Sequence, residues 1–360
     1  MHLELREKQE FIGLLKDIKT CESVEILDLS YSDITEIPPA ISQCKNLKHL
    51  YLSWAPVKRL PAEIGQLTKL EHLSLDFSSL EVLPPQIGEL NKLQYLNLDG
   101  CNLDKLPETM GKLNKLVYLN LSGSSYNGEL PLLITELKNL AWLSIQGWGL
   151  DSRTLPKEIN KLTNLEHLCI SNTNIRSLPK EIGQLKQLEC IEAEQSALCK
   201  LPPALADVQA LRELILSHSD VAKLPNEIVK LRNLRVLSLE GTPITELPDG
   251  IEQLQSLVYL GLAAKGVTRL PLGVTKLAKL ESLNLAHSGI TTLPDDIGNL
   301  SSLQLLYLES TGIKALPSSL TQLPVLEKIY IEDSKISDIP EQLAELIIYE
   351  DDDYHYDDDK

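Results

Sequence analysis

Histidine, cysteine and carboxylate side chains suited to chemistry lie close together in the middle of the chain. They are His167, Cys169 and Cys190, with Glu192 and Glu194 beside them. A thiolate next to an imidazole could act as a nucleophile, and the same atoms could bind a soft metal ion. Catalysis also needs preorganised surroundings that exclude water. Nothing in the spacing indicates such a pocket, so a metal- or thiol-dependent enzyme is kept only as an alternative.

A second group, His49, His72 and Asp76, raises the same metal hypothesis. Stacking of the two imidazole rings is the preferred interpretation. The sequence contains no phosphate-binding GxxxxGK[ST] loop, no GxSxG and no HExxH motif. We therefore expect a protein that is not an enzyme, with no catalytic residue, no bound metal and no cofactor.

These residues occupy equivalent positions of a sequence repeat. The phrase SLPKEIGQL begins at Ser177, and RLPAEIGQL, VLPPQIGEL, ELPDGIEQL and TLPDDIGNL are variants of it. A Leu-x-Leu pair recurs at the same interval of 23 residues, with single steps of 24 and 25 on either side of Leu143. The first residues of the fourteen pairs are Leu27, Leu50, Leu73, Leu96, Leu119, Leu143, Leu168, Ile191, Leu214, Leu237, Leu260, Leu283, Leu306 and Ile329.

Each repeat reads approximately LxxLxLxxSxIxxLPxxIxxL, and its pattern predicts a stacked structure. The alternation in LxL indicates a short strand with one buried face. One repeat cannot bury its apolar side alone, so the repeats must stack with their strands parallel. The proline ends each strand because it lacks an N–H group. The IGQL segment that follows, with Gly183 in its middle, is a poor α-helix former and predicts a 3₁₀ or irregular turn.

This pattern resembles the leucine-rich-repeat family over residues 21–348. The proline-bearing form of 23 residues is similar to bacterial repeats of leptospiral type, plant Ras-group-related repeats and the repeat tails of plant resistance proteins. The resemblance implies an α/β solenoid, a leucine-rich-repeat horseshoe. Its concave parallel sheet would have about fourteen short strands, and its convex side would have 3₁₀ or irregular turns.

The two ends of the chain depart from the repeat. Residues 1–20 predict an N-terminal helical cap, because a terminal repeat would otherwise expose its core. The alternative is a partner-binding helix. Residues 349–360 form an acidic tail that we expect to be disordered; a weak cation site or a docking peptide is the alternative. The apolar residues at roughly helical spacing in the cap are Leu3, Leu5, Phe11, Leu14, Leu15 and Ile18.

Composition limits the class of partner and the compartment. The net charge of −17 makes nucleic acid and anionic membranes poor partners. The first twenty residues lack the features of a secretory signal, and no stretch is apolar enough for a membrane helix. The six cysteines show no zinc-like spacing, which favours free thiols in a reducing compartment. We expect a cytoplasmic monomer without membrane insertion, or a host-cytoplasmic protein if the chain is an effector.

Aromatic and acidic residues concentrate on the predicted concave face, toward its N-terminal half. Six consecutive repeats place a ring directly before the first leucine, and three place one at an outward-facing strand position two residues after the second leucine. Tyr and Trp dominate interface hot spots, and large exposed apolar surfaces usually have a partner. Stacking of the rings on one another, or self-association of the chain, is the alternative. Tyr126 and Trp148 are added because they lie in the two longer repeats. The candidate partner-binding residues are Tyr31, His49, Tyr51, Trp54, His72, Asp76, Phe77, Tyr95, Asp99, Tyr118, Tyr126, Trp142, Trp148, His167, Glu192 and Glu194.

An aromatic and acidic surface selects a ligand with Lys or Arg beside an apolar segment. The predicted function is a non-catalytic protein-interaction module, such as a signalling scaffold, that binds a basic, partly apolar protein or peptide segment. The recognition arm of a secreted effector or immune sensor is an alternative, with its output domain on another chain. Farther along, Gly241, Gly261, Ala263, Ala264 and Ala286 leave a bare patch that a bulky partner element could approach.

Overall fold

A computed structural model describes residues 1–124 and 127–349 of the chain. The chain divides into two compact units. The first unit comprises Met1–Ile175 with Gln184–Leu188, and the second comprises Arg176–Gly183 with Glu189–Lys360. Most of the predicted acidic tail, from residue 350 onward, lies outside the described residues.

The first unit contains a parallel sheet in which neighbouring strands come from successive repeats. Leu27 is in register with Leu50, and Leu50 with Leu73, so the leucines form one row beneath the sheet. The strands β7 and β9 pair with each other away from this sheet. The ten strands are β1 (His2–Glu4), β2 (Ile26–Asp28), β3 (His49–Tyr51), β4 (His72–Ser74), β5 (Tyr95–Asn97), β6 (Tyr118–Asn120), β7 (Asn127–Gly128), β8 (Trp142–Ser144), β9 (Gly149–Leu150) and β10 (His167–Cys169).

The second unit has the same arrangement. Each of its strands pairs in parallel with the next, and Leu214, Leu237 and Leu260 are in register. Its eight strands are β11 (Cys190–Glu192), β12 (Glu213–Ile215), β13 (Val236–Ser238), β14 (Tyr259–Gly261), β15 (Ser282–Asn284), β16 (Leu305–Tyr307), β17 (Lys328–Tyr330) and β18 (Ile347–Ile348).

The predicted repeat solenoid is therefore confirmed. Each of the fourteen Leu-x-Leu pairs begins inside a strand, and the first residue of each pair has no exposed surface. The sequence analysis did not anticipate β1, which pairs with β2, or β18, which pairs with β17. These two strands do not carry the repeat motif, so the periodic pattern could not reveal them.

Short 3₁₀ helices follow the prolines, as the sequence predicts. Pro61, for example, has φ −72° and ψ 157° and directly precedes a 3₁₀ helix that begins at Ala62. A Cβ atom on Gly88 would collide with the carbonyl oxygen of Thr109 in the next repeat, so glycine lets successive turns pack closely. The 3₁₀ helices are Pro39–Gln43, Ala62–Gln66, Pro85–Glu89, Glu108–Lys112, Leu132–Glu136, Lys157–Lys161, Lys180–Gln184, Pro203–Asp207, Asn226–Lys230, Ile251–Gln253, Leu272–Lys276, Asp295–Asn299, Ser318–Gln322 and Glu341–Leu346.

The N-terminal segment contains two α-helices, α1 (Lys8–Lys16) and α2 (Ile18–Ser23). Phe11, Leu14 and Leu15 of α1 are buried, as expected for a cap, but Ile18 is 55% exposed. The Asp17 carboxylate accepts the backbone N–H of Thr20 and caps the start of α2. No helix in the described part of the chain is long and apolar enough to cross a membrane.

A disulfide joins Cys21 of α2 to Cys44 in the first repeat. The expectation of six free thiols is therefore wrong. The two cysteines are 23 residues apart, one repeat length, and both are fully buried. Stacking of successive turns brings equivalent positions together, which spacing rules for zinc or CxxC sites do not detect.

Candidate functional site

Six aromatic side chains form a continuous stack on the open face of the first unit's sheet. This ring column consists of the residues that precede the buried leucines: His49, His72, Tyr95, Tyr118, Trp142 and His167. The ring centroids are 5.6, 3.9, 4.2, 4.3 and 5.2 Å apart along the column. Parallel strands in register place these rings one above another, so the predicted stripe exists.

Stacking covers most of the face of each ring in this column. The six side chains are half-buried, and they present edges rather than faces to a partner. Tyr51 contributes a seventh ring, with its centroid 4.9 Å from that of His72. The rings of this column thus bury much of their apolar surface against one another, as the self-stacking alternative predicted.

Burial of the ring column also changes its titration. Burial lowers the pKa of His72 to about 4, and the neighbouring His49 acts in the same direction. Burial raises the pKa of Tyr95 and of Tyr118. At neutral pH these three side chains are therefore uncharged.

Three other aromatic side chains are much more exposed. This turn column consists of Tyr31, Trp54 and Phe77, whose exposed fractions are 70%, 52% and 47%. The ring centroids of Tyr31 and Trp54 are 6.2 Å apart, and those of Trp54 and Phe77 are 4.6 Å apart with an interplanar angle of 20°. The turn column therefore presents a contiguous apolar surface to solvent.

The turn column has a left-handed backbone conformation, which equivalent residues of later repeats, such as His218 and His287, share. Tyr31, Trp54 and Phe77 have φ angles of 56°, 60° and 55°, in the left-handed region. Bulky side chains rarely adopt this conformation, and such strain clusters at functional sites. The sequence analysis placed these residues on outward-facing strand positions; they lie instead in turns that follow the strands. The glycines in the same column at positions 100, 123 and 147 were the signal for a left-handed turn.

Backbone hydrogen bonds hold the turn column in place. The N–H groups of Tyr31, Trp54 and Phe77 donate to the carbonyl oxygens of Ser53, Asp76 and Asp99, at 2.9, 2.9 and 2.6 Å. Each turn is thereby tied to the next repeat. The aromatic side chains are consequently presented on a rigid frame, which lowers the entropy lost when a partner binds.

Carboxylates lie beside both columns. Asp76 accepts hydrogen bonds from Ser53, at 2.7 Å, and from Ser74. Burial raises the pKa of Asp99, and the neighbouring Asp76 adds to the effect through charge repulsion. These two carboxylates give the aromatic surface of the first unit the predicted acidic character.

The structure corrects the assignment of Trp148 as a partner-binding residue. Its side chain is only 1% exposed, and its indole Nε1 donates to the carbonyl oxygen of Leu121 at 2.7 Å. Trp148 is therefore part of the core. Tyr126 lies outside the described residues. The remaining candidates, Glu192 and Glu194, belong to the second unit, where burial and then Glu192 raise the pKa of Glu194.

The cysteines of the enzyme alternative are poorly placed for nucleophilic chemistry. Cys169 and Cys190 are buried, with exposed fractions of 3% and 7%. Reactive cysteines need exposure and a stabilised thiolate.

A groove of about 1040 Å³ in the second unit lies at the predicted bare patch, although none of its lining residues was a candidate partner-binding residue. Tyr259, Tyr307, Tyr330 and Glu240 line it, and Ala263 and Ala286 are the small residues within it. We call it the tyrosine groove. The run of glycine and alanine in these repeats was the only sequence signal for it, because small side chains leave space between larger neighbours.

Comparison of the sequence with protein families gives two matches. A family model described as "Leucine-rich repeat region" matches residues 204–288 and 274–351, and one described as "Leucine rich repeat" matches residues 68–125. None of the curated protein sequences compared with the chain is significantly similar to it.

Solved structures provide closer relationships. A leucine-rich-repeat protein of Leptospira interrogans is 30% identical, with a TM-score of 0.78 over 95% of this chain and 92% of that one. A TDR receptor is 26% identical, with a TM-score of 0.78 over 91% of this chain and 58% of that one. The ectodomain of the Arabidopsis thaliana receptor kinase GASSHO1/SCHENGEN3, in complex with Casparian strip integrity factor 2, is 23% identical. Its TM-score is 0.76 over 92% of this chain and 42% of that one.

Proposed function

The chain belongs to the leucine-rich-repeat family, and from that premise we propose that it is a non-catalytic protein-interaction module. Its binding surface is the turn column of the first unit together with the adjoining edges of the ring column. The ligand is a basic, partly apolar segment of a protein.

One observation carries this proposal: three large aromatic residues are exposed in strained turns. A left-handed conformation costs a non-glycine residue roughly 1–2 kcal/mol. Tyr31, Trp54 and Phe77 all occupy it, and solvent reaches about half or more of each side chain. Folding alone would favour glycine at these positions. A binding partner that covers the rings would explain why aromatic residues occupy these positions.

Charge supports a basic ligand. Asp76 and Asp99 lie next to the rings, and the pKa of His72 is low enough to keep its imidazole neutral at pH 7. Carboxylates around an apolar centre steer a cationic partner and set its orientation. The structure of the GASSHO1/SCHENGEN3 ectodomain contains a bound factor, so a related repeat fold is compatible with the proposed role.

The test uses random peptides displayed on phage and selected against the wild-type protein. The affinities of the selected peptides are then measured for the wild type and for a Trp54→Gly/Phe77→Gly double variant. Each buried aromatic anchor contributes about 2 kcal/mol or more, so the double variant should bind about a thousandfold more weakly. The selected peptides should contain Lys or Arg beside apolar residues.

Leu132→Ala is the matched control, because Leu132 is 55% exposed but lies on a 3₁₀ helix of the same unit. It should bind the peptides as the wild type does. Equal affinity of the double variant and the wild type would place the binding surface elsewhere and refute the proposal.

Three further attributes stay predictions: a monomeric state, a cytoplasmic location and, as the alternative role, the recognition arm of an effector or immune sensor. The expectation of a cytoplasmic location rested partly on free thiols. The Cys21–Cys44 disulfide removes that support, because disulfides are rare in the cytosol. Measuring the thiol state of these two cysteines in freshly lysed cells tests the location.

A further inference from the structure

The tyrosine groove of the second unit is a depression between two rows of larger side chains. Ala263 and Ala286 follow strands β14 and β15, at the positions that Glu240 and Glu309 occupy in the flanking repeats. Two short side chains between two long ones leave the space open. Its volume, about 1040 Å³, is at the upper end of the range for small-molecule pockets and is larger than one side chain requires.

The carboxylate of Glu240 is held at the edge of this groove. It accepts hydrogen bonds from Ser217, at 2.8 Å, from Ser238 and from the phenol of Tyr259. Gly261 makes this placement possible, because a Cβ atom there would overlap the Glu240 carboxylate. The position of the carboxylate is therefore fixed before any ligand arrives.

In the described part of the chain, no lysine, arginine or histidine forms an ion pair with the Glu240 carboxylate. Asp220 and Glu309 also line the groove, and Lys265 is its one lining lysine. A preorganised carboxylate in an acidic groove attracts a cationic group, and hydrogen bonds to charged groups are the strong ones.

Aromatic rings form another wall of the groove. The rings of Tyr307 and Tyr330 stack with their centroids 4.6 Å apart and their planes 5° from parallel. A guanidinium group is planar and weakly hydrated, so it can donate to a carboxylate while packing against aromatic rings, whereas an ammonium group is a compact, strongly hydrated charge. The combination of carboxylate and ring surface favours arginine over lysine.

We propose that the tyrosine groove binds an arginine side chain of an extended protein segment. The guanidinium group pairs with the Glu240 carboxylate, and the aliphatic part of the side chain lies over Ala263 and Ala286. This site is in the second unit and shares no residue with the turn column, so it is a second binding site and does not depend on the function proposed above.

The test measures binding of three capped tripeptides by titration calorimetry: acetyl-Ala-Arg-Ala-amide, the lysine analogue and the neutral citrulline analogue. The arginine peptide should bind the wild type, the lysine peptide more weakly, and the citrulline peptide at least about tenfold more weakly than the arginine peptide. Glu240→Gln keeps the hydrogen-bonding shape but removes the charge, so it should weaken binding of the arginine peptide about tenfold or more.

Two further variants distinguish binding in the groove from a general attraction of the peptide to negative charge. Glu332→Gln removes an exposed carboxylate at the equivalent position of a later repeat, outside the groove, and should bind as the wild type does. Ala263→Leu fills the groove without changing its charge and should abolish binding. The Trp54→Gly/Phe77→Gly variant should bind the tripeptide normally, which separates this site from the turn column.

Several outcomes would overturn the proposal. The first is that the arginine peptide does not bind the wild type at millimolar concentration, and the second is that the lysine or citrulline analogue binds with equal affinity. The others are that the Glu240 and Glu332 substitutions have equal effects, or that Ala263→Leu binds the arginine peptide fully. Circular dichroism of each variant establishes that it is folded.

Discussion

The ring of Phe77 lies against the backbone of Gly100, in the space that a side chain at position 100 would occupy. A Cβ atom on Gly100 would be 2.7 Å from Cδ1 of Phe77. Gly100 also has a φ angle of 65° and continues the column of left-handed turns. The turn column therefore ends at Phe77 because the next residue must be small enough to support its ring.

Gly100→Ala should accordingly destabilise the protein in two ways. The left-handed backbone costs alanine about 1 kcal/mol, and displacement of the Phe77 ring adds about 1 kcal/mol or more. Urea denaturation followed by circular dichroism measures the loss as a lower unfolding midpoint.

Gly147→Ala is the matched control for the backbone effect. Gly147 has a φ angle of 81°, but the nearest atom to a Cβ there would be 3.7 Å away. Gly147→Ala should therefore lose only the stability that the left-handed backbone costs alanine. If the two variants are equally destabilised, or if Phe77→Gly does not restore part of the stability of Gly100→Ala, then the Phe77–Gly100 contact does not carry the effect.

Replacement of Trp54 separates its ring from its backbone conformation. Trp54→Ala and Trp54→Gly both lose the stacking with Tyr31 and Phe77, but only glycine adopts a φ of 60° without strain. Trp54→Gly should be more stable than Trp54→Ala by about 1 kcal/mol. Unfolding both variants in urea and comparing their free energies of unfolding measures this difference.

Glycine normally weakens a folded chain through its larger unfolded-state entropy. A more stable alanine variant at position 54 would therefore show that the backbone strain is negligible. The argument that the turn column retains aromatic residues for binding would then lose its main support.

The Cys21–Cys44 disulfide should stabilise the N-terminal end of the solenoid. It ties α2 to the first repeat, and a loop of this length predicts a contribution of about 3 kcal/mol. Titration of the denatured protein with a thiol reagent should detect four thiols before reduction and six after it. Reduction, or the Cys21→Ala/Cys44→Ala double variant, should lower the unfolding midpoint of this end.

Cys199→Ala is the control, since Cys199 is not disulfide-bonded and lies far along the sequence. In the Cys199→Ala variant, reduction of the disulfide should still lower the unfolding midpoint. Six reactive thiols in the unreduced protein would contradict the disulfide directly.

His72 should make the stability of the first unit depend on pH. Burial and the nearby His49 lower its pKa to about 4 from an ordinary value near 6.5. Below pH 6.5 the unfolded chain therefore binds a proton that the folded state does not. The free energy of unfolding should therefore fall as the pH decreases from about 6.5 to 4. Below that range His72 should cause no further change.

The expected loss is about 1–2 kcal/mol, because partial exposure of the imidazole reduces the full effect of the pKa shift. Titration of the His72 ring protons by NMR measures the pKa, and His72→Gln should remove this part of the pH dependence. An NMR pKa near 6.5 would mean that the stacked position between His49 and Tyr95 does not exclude water from the ring.

The sequence by itself determined the repeat, the strands and the core. Each Leu-x-Leu pair is apolar at alternate positions, and fourteen pairs recur in phase, so the first residue of each pair had to be buried. The prolines and glycines predicted the 3₁₀ turns for the same reason: their backbone preferences are local. The ring column was also predictable, because equivalent positions in register must stack.

Only the tertiary structure decided which of these side chains a partner can reach. Whether Trp148 is buried, whether Cys21 meets Cys44 and how far Phe77 is exposed all depend on residues about one repeat away and on the exact turn conformation. Tyr31, Trp54 and Phe77 occupy a left-handed turn that their own residue types disfavour, so only the glycines at the equivalent positions of later repeats indicated it. The tyrosine groove likewise arises from the packing of Glu240 over Gly261, and packing between neighbouring turns is a property of three-dimensional contacts.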